Sequence, residues 1–250
     1  MKSEELTERR SYRVVKGNEI IQRARYDLTL GELKTFSFMV SKIKPDDATG
    51  TRYTFTYSEY FEVLGIERNN GKNIYNLKRH IQGIRDKSFI LQKEDGTETT
   101  VGWLEKAWFE DGRVSVRFDE DLEKYLIGLV SRGNYTEYEL LVTLPMSSSY
   151  SIRVYEILKS YSYNKDKIVL SVEELKKRLS VDNYRYPDIR RKILDVSVKE
   201  INEYTDLSVN WEPITNGKRK VELIEFKVTR KKALDSYFSK LRATQKISGT

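Results

Sequence analysis

The chain has 250 residues and no cysteine, and it carries 45 lysine and arginine residues against 38 aspartate and glutamate residues. The missing cysteine excludes disulfide frameworks, thiolate zinc sites, iron–sulfur clusters and cysteine nucleophiles. The single histidine, His80, excludes a metal site built from several imidazoles and any nuclease motif that needs two neighbouring histidines. This length predicts one large domain or two small ones.

No targeting or membrane segment is expected. The first residues, MKSEELTERRSYRV, lack the apolar core of a secretory signal. No apolar run approaches the ~18 residues that a membrane span requires. We therefore expect a soluble, cytoplasmic protein.

The charge is unevenly distributed along the chain. Residues 1–144 hold 23 basic and 24 acidic side chains, whereas residues 145–250 hold 22 basic and 14 acidic ones. A basic region joined to a near-neutral one favours a polyanionic partner, most often nucleic acid. The alternative is a lysine-rich surface that serves only solubility.

The first part of the chain alternates helical and strand patterns. The patterning predicts a short helix at 15–26, a helix at 28–43, a strand at 53–57, helices at 58–64 and 73–87, and strands at 89–92, 99–109 and 114–118. Thr29 and Glu32 have the spacing of a capping box at the start of the second helix. Asp111 and Gly112 form a hairpin turn before the last strand.

The second part repeats this order. It predicts a helix from 147–149 to about 160, a strand at 167–170, helices at 172–179 and 187–204, and a hairpin of strands at 207–214 and 221–228. A helix-turn-helix followed by a β-hairpin is the order of a winged helix. The sequence therefore predicts an α+β chain with two tandem winged-helix domains.

The helix predicted at 187–204 is the strongest candidate for DNA recognition. At 100° per residue, its outward side carries the cations Arg191, Lys192 and Lys199 together with Asn202. Such side chains reach base edges and phosphates in a major groove. Arg190 points nearer the core, but in the first turn it can extend to a backbone phosphate. The alternative is an ordinary amphipathic helix with a solvated face.

Two further groups extend this candidate interface. The tip of the second hairpin carries Lys218, Arg219 and Lys220, which a phosphate strand or a minor groove would attract. The matching helix of the first copy, at 73–87, is polar but nearly uncharged on its outward face, where the candidate contacts are Tyr75, Asn76, Arg79 and Gln82. Gly83, in the middle of that helix, indicates a close approach of another backbone. His80 receives no role.

Three segments resemble the Rep initiator proteins of iteron-carrying, theta-replicating plasmids. They are LTLGELKTFSFMVSKI at 28–43, YSIRVYEIL at 150–158 and PDIRRKILDVSVKEINEYT at 187–205. The resemblance covers roughly residues 15–235. It implies two winged-helix domains that bind directly repeated origin sequences. We accordingly expect an N-terminal domain at 1–144 for DNA contact and dimerisation, a main DNA-binding domain at 145–235, and a tail at 236–250.

The same resemblance implies partners and assembly states. Monomers of such initiators bind iterons and open the origin, dimers repress their own promoter at an inverted repeat, and host replication factors, a helicase and an initiator, are contacted. The apolar residues between 99 and 118 form either a dimer interface or simply the core beneath the N-terminal helices. The sparsely patterned stretch at 143–149 suits a hinge between the domains.

The sequence disfavours the main enzymatic function classes. A tyrosine nucleophile of the rolling-circle type needs a metal held by paired histidines, and no phosphate-binding GxxxxGK[ST] loop occurs. We therefore expect no enzymatic activity, no catalytic residue, no metal and no cofactor. A winged-helix transcription regulator without an initiator role remains the alternative.

Overall fold

The computed structural model of the chain describes residues 12–67, 71–215, 217 and 220–231. Its first part comprises β1 (Arg13–Gly17), α1 (Asn18–Arg23), β2 (Ala24–Arg25), α2 (Leu30–Val40), β3 (Tyr53–Thr56), α3 (Tyr57–Leu64), α4 (Gly71–Asp86), β4 (Ser88–Gln92), β5 (Glu98–Gly102), β6 (Leu104–Glu110), β7 (Arg113–Phe118), α5 (Glu120–Glu123), α6 (Leu129–Arg132), β8 (Tyr135–Glu139) and a 3-10 turn (Leu140–Val142). Its second part comprises α7 (Ser149–Tyr161), β9 (Lys167–Ser171), α8 (Val172–Leu179), α9 (Tyr186–Asp188), a π-helical turn (Ile189–Leu194), α10 (Asp195–Tyr204), β10 (Leu207–Thr215) and β11 (Val221–Arg230). Among the described residues, no helix is long and apolar enough to cross a membrane.

The two parts share one topology. In the first, the strand order is β3-β7-β6, and in the second it is β9-β11-β10. Each sheet therefore pairs its first strand with the last strand of the following hairpin, and two helices lie between the first strand and that hairpin in the chain. The prediction of two winged-helix units is confirmed. We call the second helix of the C-terminal pair, residues 186–204, the recognition segment.

Several predicted helix ends are confirmed because they depend on neighbouring residues only. The Thr29 side chain accepts a hydrogen bond from the Glu32 backbone, and the Glu32 side chain accepts one from the Thr29 backbone. Ser171 caps α8 in the same way through the backbone of Glu174. Gly65 ends α3 with φ 68°, a left-handed conformation that glycine adopts at little cost.

The predicted helix at 15–26 is wrong at both ends, because residues 15–17 belong to β1 and residues 24–25 form β2. Residues 13–17 form β1, which pairs antiparallel with β8, so that Arg13 lies opposite Glu139. Helix α1 follows only at Asn18. Sequence patterning missed the strand because its partner lies more than a hundred residues further along the chain. For residues 119–142, which hold α5, α6 and β8, the sequence patterning assigns no helix or strand.

The predicted strand at 99–109 is also wrong, because it is broken at Trp103. Strand β5 pairs with β4 in one sheet, and β6 pairs with β7 in another. Between them Trp103 is 1% exposed and its ring lies 4.7 Å from that of Phe36 and 4.5 Å from that of Phe89. The aromatic core therefore holds the point where the chain leaves one sheet for the other.

Helix α7 packs against both halves of the molecule. Its Glu156 binds Lys16 of β1 and Tyr138 of β8, and its Tyr155 hydroxyl donates to Asp206 before β10, at 2.8 Å. The connection before it is bound on both sides as well. Lys34 Nζ donates to the Leu144 carbonyl at 2.7 Å, and the Ser147 backbone donates to Glu200 Oε1 at 2.8 Å. A domain boundary after residue 144 and a hinge at 143–149 stay predictions.

Gly83 lies where the side chain of Glu32 approaches α4. A Cβ atom at this position would lie 2.2 Å from Glu32 Oε1. The sequence suggested that another backbone approaches Gly83. The close neighbour is instead a side chain of α2. That carboxylate is fixed, because its Oε2 accepts from the Thr29 backbone and from Lys87 Nζ, both at 2.7 Å.

We expect Gly83→Ala to lower the free energy of unfolding by about 1 kcal/mol, although alanine favours a helix over glycine by a similar amount. The methyl group must displace Glu32 and so break the capping box of α2. Gly71→Ala in the same helix is the control, because no atom of the described residues lies within 4 Å of a Cβ there. Urea denaturation measures both variants. A more stable Gly83→Ala protein would contradict the assignment.

Candidate nucleic-acid interface

The recognition segment presents three consecutive cations to solvent. The side chains of Arg190, Arg191 and Lys192 are 64%, 76% and 46% exposed. All three lie in the π turn, which has more residues per turn than an α-helix because its hydrogen bonds join residues five apart. The placement of Arg190 nearer the core, which assumed a regular helix, is therefore wrong. Arg190 is exposed, as its two neighbours are.

The buried side of the segment fixes this orientation. Ile189, Ile193 and Leu194 are fully buried, as is Ile201 about two turns after Leu194. Lys199 is exposed on the outward side, as predicted. The apolar residues hold the segment against the domain core, so the cations stand on a rigid support.

Two carboxylates accompany the three cations. Asp188 Oδ1 lies 3.1 Å from Lys192 Nζ and 3.7 Å from Arg191 Nη2. Asp195 Oδ2 lies 3.9 Å from Arg190 Nε. The hydrogen bond from Lys192 is the main cause that holds the pKa of Asp188 below its ordinary value. Lys192 Nζ also lies 5.0 Å from the ring centre of Tyr184, within the range of a cation–π contact.

Asn202 is exposed, but its side-chain amide is hydrogen-bonded within the fold. Its side-chain amide donates to the Val209 carbonyl at 2.8 Å and accepts from the Val209 backbone N–H at 2.6 Å. Both hydrogen-bonding ends of the amide are thus engaged with β10. The sequence placed Asn202 among the base-reading residues, and we remove it from the candidate interface because its amide joins α10 to the hairpin.

The C-terminal hairpin is only partly described. Lys218 and Arg219 lie outside the described residues, whereas Lys220 is described and exposed. At the base of the hairpin, Lys231 Nζ donates to the carbonyl oxygens of Asn202 and Thr205 at 2.5 and 2.8 Å. A cation at these carbonyls stabilises the end of α10. Lys231 is therefore bound to the protein itself.

The N-terminal candidate residues lie on one side of α4. Tyr75 is 65% exposed, Arg79 and Gln82 are exposed, and Asn76 is half-buried. Lys78 lies beside them, and its Nζ is 5.6 Å from the ring centre of the partly exposed Phe109 on β6. Sequence reasoning omitted Lys78 and placed Phe109 only in the apolar 99–118 stretch, because the adjacency of α4 and β6 is a tertiary contact.

The outer face of the N-terminal hairpin adds an aromatic group with cations. The guanidinium carbon of Arg52 lies 4.2 Å from the ring centre of Trp108, and Lys106 Nζ lies 5.3 Å from it. By contrast, most apolar residues of the 99–118 stretch, including Val101, Leu104 and Phe118, are buried. The core interpretation accounts for these buried residues and leaves Trp108 and Phe109 partly exposed.

Comparison with known proteins gives the same two units. Residues 13–159 match the family model described as "Initiator Replication protein, WH1", and residues 171–228 match "Initiator Rep protein, WH2". The PI protein of Escherichia coli is 29% identical over 133 residues, which cover 47% of this chain and 44% of that protein. The chain thus matches less than half the length of this relative. An uncharacterized 27.6 kDa protein of Escherichia coli is 24% identical over 89% of this chain and 92% of its own length.

Solved structures share the fold. The crystal structure of the Pi initiator protein in complex with iteron DNA has a TM-score of 0.71 and 19% identity, over 90% of this chain and 99% of that chain. Domains 2 and 3 of RctB have a TM-score of 0.52 and 13% identity, over 80% and 82% of the two chains. Because the first family model alone matches more than half of the residues, this chain belongs to the family of initiator replication proteins with two winged-helix domains.

Proposed function

We propose that this chain initiates the replication of a plasmid by binding directly repeated double-stranded DNA sequences, iterons, at the origin. The observation that carries the proposal is the rigidly supported, exposed row Arg190–Lys192 on the second helix of a helix-turn-helix. Membership of the initiator family in both domains supports the same conclusion. In this role the protein acts in the cytoplasm by binding alone, without catalysis or a cofactor.

The proposed contacts divide between the two domains. In the C-terminal domain, Arg190, Arg191, Lys192 and Lys199 enter a major groove, while the hairpin tip with Lys218, Arg219 and Lys220 contacts phosphates. In the N-terminal domain, Tyr75, Asn76, Arg79 and Gln82 of α4 face a second groove segment. Because successive major-groove segments on one side of DNA lie about 10.5 base pairs apart, two such domains fit a repeat of about 20 base pairs.

We further propose that a dimer represses the promoter of the protein's own gene, whereas the monomer binds iterons and contacts the host helicase and initiator. A dimer contact in the 99–118 stretch would rest on Trp108 and Phe109, because the other apolar residues there mostly serve the core. The boundary between a domain at 1–144 and one at 145–235, with a tail at 236–250, remains part of this proposal.

Binding of the full-length protein to the DNA beside its gene tests the main proposal. Gel shifts compare a fragment that carries the direct repeats with the same fragment after scrambling of the repeats. We expect tighter binding to the intact repeats and a fall in affinity with salt of about 0.9 in log K per log salt for each phosphate contacted. Equal affinity for intact and scrambled repeats would overturn the proposal.

A replication assay separates an initiator from a transcription regulator of the same architecture. The repeats are placed on a plasmid that lacks any other origin, and this protein is supplied from a second replicon. An initiator maintains that plasmid, whereas a regulator binds its operator and does not. The alternative is favoured if the repeats are bound and the plasmid is lost.

A further inference from the structure

Acidic residues flank the cations of the recognition segment on both sides along the chain. Asp188 stands just before the π turn and Asp195 just after it. Between them, Arg191 and Lys192 lie within 4 Å of Asp188, and Arg190 lies within 4 Å of Asp195. This exposed part of the proposed DNA-binding surface thus presents three positive charges together with two negative ones.

The stability of the fold gains little from these two acids. The paired side chains are between 31% and 76% exposed. Ion pairs with such exposure contribute little to the free energy of unfolding, because water screens them and two long side chains lose freedom. Asp188 and Asp195 stand in the first turns of α9 and α10, where an acid favours the helix dipole, but this effect is small at exposed positions and is screened by salt.

The acids do have a large effect on an approaching phosphate. Affinity for DNA of any sequence comes mainly from cations on phosphates, and a carboxylate beside those cations opposes it. Lysine and arginine side chains held by a carboxylate also have fewer conformations in which to meet a phosphate at random. Hydrogen bonds to base edges in the specific complex are directional. A cation that is already oriented therefore loses less conformational entropy when it forms them.

We propose that Asp188 and Asp195 are specificity-determining residues, which weaken binding to random DNA and orient Arg190, Arg191 and Lys192 toward base edges. The inference rests on the proposed function, because it requires that the recognition segment enters the groove of a specific site. Specificity is a difference between two affinities, and repulsion of the wrong partner increases it.

Asp188→Asn and Asp195→Asn in the full-length protein test this inference. Affinities are measured for a duplex with the origin repeat and for a scrambled duplex, over a range of salt. Asp188→Asn should bind scrambled DNA about threefold to tenfold more tightly at low salt and lose a similar factor of discrimination. The salt slope on scrambled DNA should steepen by up to ~0.9, as one phosphate more is neutralised.

Glu203→Gln is the matched control. It removes one negative charge from the exposed surface of the same helix, but it lies fifteen residues, or about 22 Å, from Asp188. Discrimination should remain that of the parent protein. Equal effects of Glu203→Gln and Asp188→Asn would show a general charge effect and overturn the inference, as would unchanged discrimination in both aspartate variants.

The outcome for the parent protein separates this inference from the function on which it rests. A parent that discriminates, with aspartate variants that discriminate equally well, overturns the inference and leaves the function standing. If the parent binds repeats and scrambled DNA alike, the proposed function fails and the inference fails with it. Thermal unfolding of each variant verifies that differences in affinity do not come from loss of folded protein.

Discussion

Replacing Glu156 by glutamine is expected to lower the free energy of unfolding by about 3–5 kcal/mol, the usual effect of removing one partner from a buried ion pair. The Glu156 side chain is fully buried, Lys16 Nζ lies 2.6 Å from its Oε1, and Arg153 Nη1 lies 3.3 Å from its Oε2. Tyr138 donates to the same Oε1 at 2.6 Å. Glutamine keeps the shape, but it removes the charge and points an N–H₂ group at a donor.

The pH dependence of stability should change with this substitution. Burial by itself raises the pKa of a carboxyl group, but Lys16 and Arg153, with hydrogen bonds from Lys16 and Tyr138, hold the pKa of Glu156 below its ordinary value. A carboxyl group with a lowered pKa stabilises the fold above its unfolded pKa of 4.5 and loses this effect as the pH falls through the folded value. The difference in the free energy of unfolding between the parent protein and Glu156→Gln should be largest at pH 7 and should shrink below pH 4.5.

Urea unfolding at pH 7 and at several values below pH 5 measures both effects. Glu137→Gln is the control, because Glu137 pairs with Arg13 on the neighbouring strand β1 with both side chains partly exposed. The control should change the free energy of unfolding by less than about 1 kcal/mol. If Glu156→Gln stays within 1 kcal/mol of the parent protein, α7 is not held to the N-terminal sheet by this carboxylate.

Alanine in place of Arg191, Lys192 or Lys199 is expected to weaken binding to the origin repeats by about 1–3 kcal/mol for each residue that touches a base edge. This is roughly a fivefold to 150-fold loss of affinity, together with relaxed preference at one base pair. Lys220→Ala should act differently. It should weaken binding to all sequences alike and reduce the salt slope by about 0.9, as expected for a contact to phosphate.

Asn202→Ala is the contrasting variant in that series. Removal of the Asn202 amide breaks two hydrogen bonds to Val209 and should lower the free energy of unfolding by about 1–3 kcal/mol. The base preference should remain unchanged. Gel shifts against a panel of single base-pair changes, with urea unfolding of each protein, distinguish the two patterns. If all the cation variants weaken repeats and random DNA equally, the recognition segment does not read bases.

Much of the architecture follows from local signals in the sequence. The capping box of Thr29 and Glu32, the cap at Ser171 and the stop at Gly65 involve residues a few positions apart. Such interactions form within one turn of chain, so the order of residues suffices to predict them. Repetition of the same helix and strand order, and the excess of basic residues after position 145, likewise predicted two winged helices with a cationic second unit.

Tertiary contacts decided the rest. Strand β1 forms because it pairs with β8. The chain leaves one sheet for the other at Trp103 because the aromatic core holds this residue. The amide of Asn202 is engaged because β10 passes beside it. The π turn moves Arg190 to the exposed surface, which a regular helical projection does not predict. The amino-acid sequence by itself therefore determined the fold class and the location of the positive charge. Only the tertiary structure decides which side chains are free to meet DNA. The contacts that engage or expose these side chains involve residues distant in the chain, and such contacts form only when the domains pack.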